Sequence, residues 1–190
     1  MAGRSLAIFE AAIGTCAIVW TARGVAGVQL PETTELATRA RLQRRFPDAE
    51  ECTPPPSVQR AIAAMVALLR GEARDLGDVP LDLDGVPEFN RRVYEIARKI
   101  PAGRTMTYGG IAKALGDRLL ARAVGQALGH NPVPLIVPCH RVVAASGKSG
   151  GFSAGGGVVT KLRLLTMEGA QPTGPTLFDR LPLEARATRG

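Results

Sequence analysis

At 190 residues, with 45% hydrophobic and 22% charged residues, the chain has the composition of an ordinary soluble globular protein with one sizeable core or two small ones. Its net charge of +7 is unevenly spread: residues 1–88 hold nine Lys+Arg against twelve Asp+Glu (−3), and residues 89–190 hold fifteen against five (+10). The cationic second half suits a polyanion such as a phosphate backbone, against the plainer reading of a solvated basic face. Cys16, Cys52 and Cys139 are odd in number and widely spaced, which predicts free thiols in a reducing compartment. With His130 and His140 the only histidines and no paired cysteines, no metal site is expected. The apolar opening to Trp20 is interrupted by Glu10, so its uncharged run falls short of the roughly 20 residues of a span, and no membrane anchor is expected.

In chain order, Thr15 to Thr21 alternates small or polar with apolar residues, Arg23 and Gly24 supply a turn, and Val25 to Leu30 continues as a second strand, which predicts a hairpin. Thr33 to Phe46 has helical spacing at Leu36, Ala40, Leu42 and Phe46, and Pro47 closes it. Cys52 to Pro56 reads as loop, and Ser57 caps a helix with Ile62, Met65, Val66 and Leu69 as its stripe. The segment Asp78 to Pro87 is rich in Asp, Pro and Gly where the charge changes sign, which places a domain boundary there. The division predicted is an α+β supporting unit over 1–84, a mostly helical unit over 85–173, and a tail over 174–190. In the second unit Phe89, Val93, Ile96 and Ile100 recur at helical intervals. Thr107 to Leu115 and Leu119 to Leu128 then form two helices around the break at Gly116 and Asp117, the pattern of a helix-turn-helix and also of many helical hairpins.

The stretch from Asn131 to Val143 carries the chemistry. Apolar and proline residues run straight into Cys139, whose neighbour is His140, and a thiol beside a histidine in electropositive surroundings is the usual arrangement for a sulfur nucleophile. The plainer reading is a cysteine packed as a small hydrophobe.

Pro138 to Val143 resembles the active-site motif of the O6-alkylguanine-DNA alkyltransferases, the methylated-DNA–protein-cysteine methyltransferases. Pro101 to Ala112, Arg122 to Leu128, Gly151 to Gly155 and Lys161 to Gly169 follow in that family's order, with a weaker likeness around Ile13, Gly14 and Val25 to Glu32. The resemblance implies a small ribonuclease-H-like antiparallel sheet with helices, followed by a helical domain with a helix-turn-helix. It implies irreversible, single-turnover transfer of an alkyl group from O6-alkylguanine in duplex DNA to Cys139, with O4-alkylthymine as a further substrate and no cofactor. His140 would act through a water as base, oriented by Glu168, and Tyr108 would donate to guanine N3. Asn131 and Pro134 match hinge and pocket-wall positions, while the Val142 carbonyl and the Ser153 amide would contact the base. Arg122 would fill the gap left by a flipped nucleotide. Ala121, Ala123 and Gly125 would let the helix lie in the minor groove, with Arg141 as a further DNA contact. A monomer is implied, cytoplasmic and nucleoid-associated when on DNA.

Three other readings stay open beside it. Alkyltransferase-like proteins bind the same lesions without repair, but carry tryptophan where this chain has Cys139. A helix-turn-helix transcription factor leaves Pro138 to Val143 without a purpose. A cysteine hydrolase explains Cys139 and His140, yet neighbours in an extended segment point apart. The loop at Gly155 to Gly157 leaves the pocket rim, and so the tolerated adduct size, undetermined.

Overall fold

A computed structural model of the chain describes residues 3–145, 151–152 and 156–170. Strands β1 (Arg4–Ala11), β2 (Gly14–Thr21) and β3 (Gly24–Gln29) form an antiparallel meander. A short β4 (Ala49–Glu51) joins the other edge of β1 in parallel, giving the order β3-β2-β1-β4. The sheet is therefore mixed rather than antiparallel, and the expected hairpin is its β2–β3 half. Gly24, at φ +148°, is required at the turn, since a Cβ there would meet the Pro80 carbonyl oxygen.

The central strand is buried on both faces from Cys16 to Trp20. Ile18 and Trp20 point into the main core, while Ala17 and Val19 pack with Leu6, Leu42 and Phe46 under the first helix. That helix, α1 (Glu35–Arg45), is capped by Thr34, whose hydroxyl accepts from the Ala37 N–H. Its inward residues are Thr38 and Leu42; Leu36, expected in the stripe, is 78% exposed. Thr38 takes the inner position because its hydroxyl accepts from Glu32 N–H and donates to Thr34 O, so a polar residue is satisfied inside. Helix α2 (Pro56–Leu68) starts at Pro56 rather than after Ser57, the proline occupying the first turn where no N–H is missed.

Beyond it come α3 (Glu88–Ala97), β5 (Met106–Thr107), α4 (Tyr108–Ala114), α5 (Ala121–Gly129), β6 (Val142–Val143) and α6 (Gly157–Met167), with 3-10 turns at Arg118–Leu120 and Cys139–Arg141. β5 pairs with β6 in parallel. One apolar cluster runs from Ala7, Ile18 and Trp20 through Met65 to Val93, Val124, Val137 and Cys139. The two halves are also tied by the Val28 N–H, which donates to Pro132 O at 2.9 Å. No helix among the described residues is long and apolar enough to cross a membrane.

Candidate active site

Cys139 is held at the end of a constrained loop. The Asn131 side chain clamps it from within, its Oδ1 accepting from Val133 N–H at 3.0 Å and its Nδ2 donating to Val137 O at 2.9 Å. Between those anchors Leu135 is buried with φ +73°, a left-handed conformation costing a non-glycine residue about 1–3 kcal/mol, which only a loop fixed at both ends sustains. The Cys139 N–H donates to Val137 O at 2.8 Å and opens the 3-10 turn, leaving the residue 8% exposed.

The three cysteines are free. Burial and the nearby Glu10 push Cys16 up to about 12, leaving it an inert thiol. Burial also raises the Cys139 thiol, outweighing the Asn131 amide, the Lys161 charge and the backbone amides of Cys139 and His140, all of which favour the thiolate. The electropositive surroundings expected from the sequence are present, but desolvation wins, so the resting sulfur is protonated and needs a base.

His140 is fully buried, with Nε2 2.8 Å from Glu168 Oε1. Burial works against the Glu168 carboxylate, yet hydrogen bonds from His140 and Arg141 and the Arg141 charge bring it down to about 2. An ionised carboxylate only accepts, so Nε2 must carry the hydrogen. Desolvation lowers the His140 pKa and keeps the ring neutral, which makes Nδ1 the lone-pair nitrogen. That Nδ1 is buried without a hydrogen-bond partner among the described residues, and an unpaired buried base in this position is a chemical resource.

Arg141 corrects the sequence-based expectation. It faces inward, Nε and Nη2 donating to Glu168 at 2.9 and 2.8 Å and Nη1 to Ile100 O at 2.6 Å. A buried carboxylate requires a fixed cation, so the guanidinium is engaged inside and is not on a DNA-facing surface.

Lys161 is the residue that sequence reasoning missed. Fully buried on α6, it donates to Val142 O at 2.6 Å and to the Tyr108 hydroxyl oxygen at 3.4 Å, with its Nζ 5.6 Å from the Tyr108 ring centre. Burial lowers its pKa to about 8 against the opposing pull of Cys139. The signal was available: Lys161 lies three and four residues from Leu164 and Leu165, on the buried face of α6. The Val142 carbonyl, expected to face a base, already accepts from this lysine.

Cys139 lines two cavities. One, about 330 Å³, is shared with Tyr108, Arg122, Gly125, Gln126 and Phe152. Thr107 caps α4 by accepting from Gly110 N–H at 2.9 Å, which sets Tyr108 in the first turn. On α5 the buried face is Val124, Ala127 and Leu128; Arg122 is exposed, while Ala121, Ala123 and Gly125 lie between. Gly125 sits against the Tyr108 ring, and Leu119, just before the helix, is 89% exposed. The second cavity, about 170 Å³, includes Asn131 and Pro134. A larger one of about 820 Å³ touches Arg141 but neither Cys139 nor Tyr108, so size does not mark the reactive site. Ser153 and Gly155 lie outside the described residues, as does the tail over 174–190. The described residues include no group of three or more His, Cys, Asp or Glu placed to hold a metal.

The family model for the DNA-binding domain of 6-O-methylguanine DNA methyltransferase matches residues 88–170. The methylated-DNA–protein-cysteine methyltransferase of Mycolicibacterium paratuberculosis is 47% identical over 120 residues, 63% of this chain and 70% of that protein. A DNA base-flipping protein of Thermus thermophilus is 43% identical over 129 residues, 68% of this chain and 82% of that one. Mycobacterium tuberculosis OGT, solved in complex with DNA, superposes with a TM-score of 0.70 at 34% identity, covering 87% of this chain and 92% of that one. With identity at this level extending over more than two thirds of its relatives, and a buried free thiol in the matched region, the chain belongs to the methylated-DNA–protein-cysteine methyltransferase family of enzymes.

Proposed function

We propose that this protein repairs duplex DNA by moving the alkyl group of O6-alkylguanine onto Cys139, once per molecule. The observation that carries the reading is the single cavity in which a nearly buried thiol meets Tyr108 and Arg122. A thiol so enclosed cannot reach an atom inside a stacked base pair, so the nucleotide must rotate out at a cost of a few kcal/mol. Arg122, exposed on α5, replaces it in the stack. Ala121, Ala123 and Gly125 let α5 approach in the minor groove, with α4 and α5 serving as a helix-turn-helix. We treat residues 1–84 as a ribonuclease-H-like support and residues 85–173 as the unit that holds the chemistry. The protein acts as a cytoplasmic monomer.

In the reaction His140 Nδ1 takes the Cys139 proton through a bridging water, and Glu168 stabilises the imidazolium that forms. Sulfur attacks the alkyl carbon in line; the sulfur–carbon bond forms as the carbon–O6 bond breaks, and the electron pair leaves with the purine. Tyr108, with Lys161 beside its hydroxyl, donates to N3 as negative charge develops. The Val142 carbonyl and the Ser153 amide hold the base, Asn131 fixes the loop, and Pro134 forms the wall. The thioether left on Cys139 has no leaving group that water can displace, which makes the transfer irreversible. O4-alkylthymine offers the same carbon to the same sulfur and is a second substrate in this reading.

The test is intact-mass measurement after incubation with duplex DNA containing O6-methylguanine. One methyl group on Cys139, never more than one, and none in Cys139→Ser is the expected result. The likeness to a DNA base-flipping protein motivates the alternative of lesion binding without transfer. Tight binding with unchanged mass would select it.

A further inference from the structure

Leu119 is 89% exposed, the most exposed of the large apolar side chains among the described residues, and it stands in the 3-10 turn that feeds α5. A single exposed leucine is ordinary on a protein surface. Two features set this one apart.

The first is how firmly it is presented. The Asp117 carboxylate accepts from the Leu119 N–H at 2.8 Å, and the Leu120 N–H donates to Asp117 O at 3.2 Å. The two residues that follow, Leu120 and Ala121, pack against the main core. The turn is therefore fixed on both sides, and the leucine is held outward instead of folding back onto apolar surface.

The second is its company. Arg118 and Arg122 are exposed on either side of it, and Asp117, the only acid between Lys113 and Gly129, is engaged in the cap. Leu36, the other leucine so exposed, follows Glu35 in the half of the chain whose net charge is −3. Leu119 and Arg122, three residues apart, are neighbours on one face and separated by about 5 Å along the axis. Base pairs stack about 3.4 Å apart, so the leucine falls about one to two steps from the arginine. Between its phosphates the wall of a minor groove is deoxyribose C–H surface, which suits an aliphatic side chain.

Resting on the reading in which α5 approaches the minor groove with Arg122 entering the stack, we infer that Leu119 is an apolar DNA contact, seated against the deoxyribose wall beside the gap. It adds affinity by removing C–H surface of both partners from water, an attraction that salt does not screen.

The experiment measures dissociation constants for an undamaged duplex by fluorescence anisotropy at several salt concentrations. The full chain is compared with Leu119→Ala, Leu119→Met and Leu119→Lys, and with Leu36→Ala as the exposed-leucine control. The duplex holds no lesion, so transfer to Cys139 does not enter the measurement. Leu119→Ala should bind about fivefold more weakly at every salt concentration, with the slope of log affinity against log salt unchanged. Leu119→Met should keep most of the affinity, and Leu36→Ala should match the unaltered protein. Leu119→Lys should steepen the slope by about one unit, because an ammonium at this position reaches a phosphate. Melting temperatures should not move, since the side chain packs on nothing it would leave empty. Unchanged affinity in Leu119→Ala, a loss that varies with salt, an equal loss in Leu36→Ala, or an unsteepened slope in Leu119→Lys would overturn the contact. Binding that responds to the variants as expected, with no methyl group reaching Cys139 from O6-methylguanine, would support the contact and remove the transfer reading alone.

Discussion

The Lys161 ammonium lies 3.4 Å from the Tyr108 hydroxyl oxygen and 5.6 Å from the centre of its ring, linking α6 to the first turn of α4 across the cavity that contains Cys139. A buried cation against a phenol hydroxyl strengthens that hydroxyl as a donor, because it stabilises the phenolate that donation approaches. Burial raises the Tyr108 pKa, so the lysine offsets a handicap that the site itself imposes.

Replacement of Lys161 by methionine tests this link. Transfer should slow about tenfold, the scale of one charge-assisted contact, and equally on duplex DNA and free O6-benzylguanine, since in the proposed reaction the residue acts on the purine rather than on binding. Because folding lowers the lysine from an ordinary 10.5 to about 8, the unfolded chain binds more protons between those values, and stability rises with pH there. That rise should vanish in Lys161→Met. Urea unfolding across the interval, beside single-turnover rates, checks both outcomes.

Glu168 makes the site acid-labile. Its folded pKa of about 2 lies below the ordinary 4.5, so its stabilisation is complete above 4.5 and is lost as pH falls toward 2, about 3 kcal/mol in all. His140, whose pKa is lowered from 6.5 by burial, adds a loss of the same sign as pH drops below 6.5. In Glu168→Gln the segment between 4.5 and 2 should flatten while the His140 part remains. The variant should also be about 3–5 kcal/mol less stable at neutral pH, because Arg141 is left buried without its anion. An unchanged acid profile by chemical denaturation would refute the assignment.

Arg122→Ala should slow repair in duplex DNA by about tenfold or more, since flipping costs a few kcal/mol, and leave reaction with free O6-benzylguanine nearly intact. Equal losses on the two substrates would remove Arg122 from the flipping role.

Arg141→Met separates an interior cation from a DNA contact. Each phosphate contact contributes about one unit to the slope of log affinity against log salt. Arg141 faces Glu168 and Ile100, so the slope should match the unaltered protein while stability drops. A slope reduced by one unit would place the side chain on DNA after all.

Much of the site was legible in the order of residues. The run into Cys139, its neighbour His140 and the helix pair around Gly116 and Asp117 are local patterns, and local patterns survive without coordinates; Glu168, Tyr108 and Arg122 were named only through the family resemblance. Asn131 was singled out as well, though only its two hydrogen bonds explain why the strained Leu135 beside it holds. Strand β1 escaped notice because it is half-exposed and buries only Leu6 and Ala7, so its alternation is faint.

Sequence alone thus singled out Cys139, its neighbour His140 and the basic second half, because residue type and spacing are read directly from the chain. Tertiary structure decided the rest: that Arg141 turns inward, that Lys161 crosses to Tyr108, and that burial leaves the Cys139 thiol protonated. Those outcomes depend on which charges meet in a low-dielectric interior. Desolvation and pairing there are set by groups far apart in the chain, which no local pattern records.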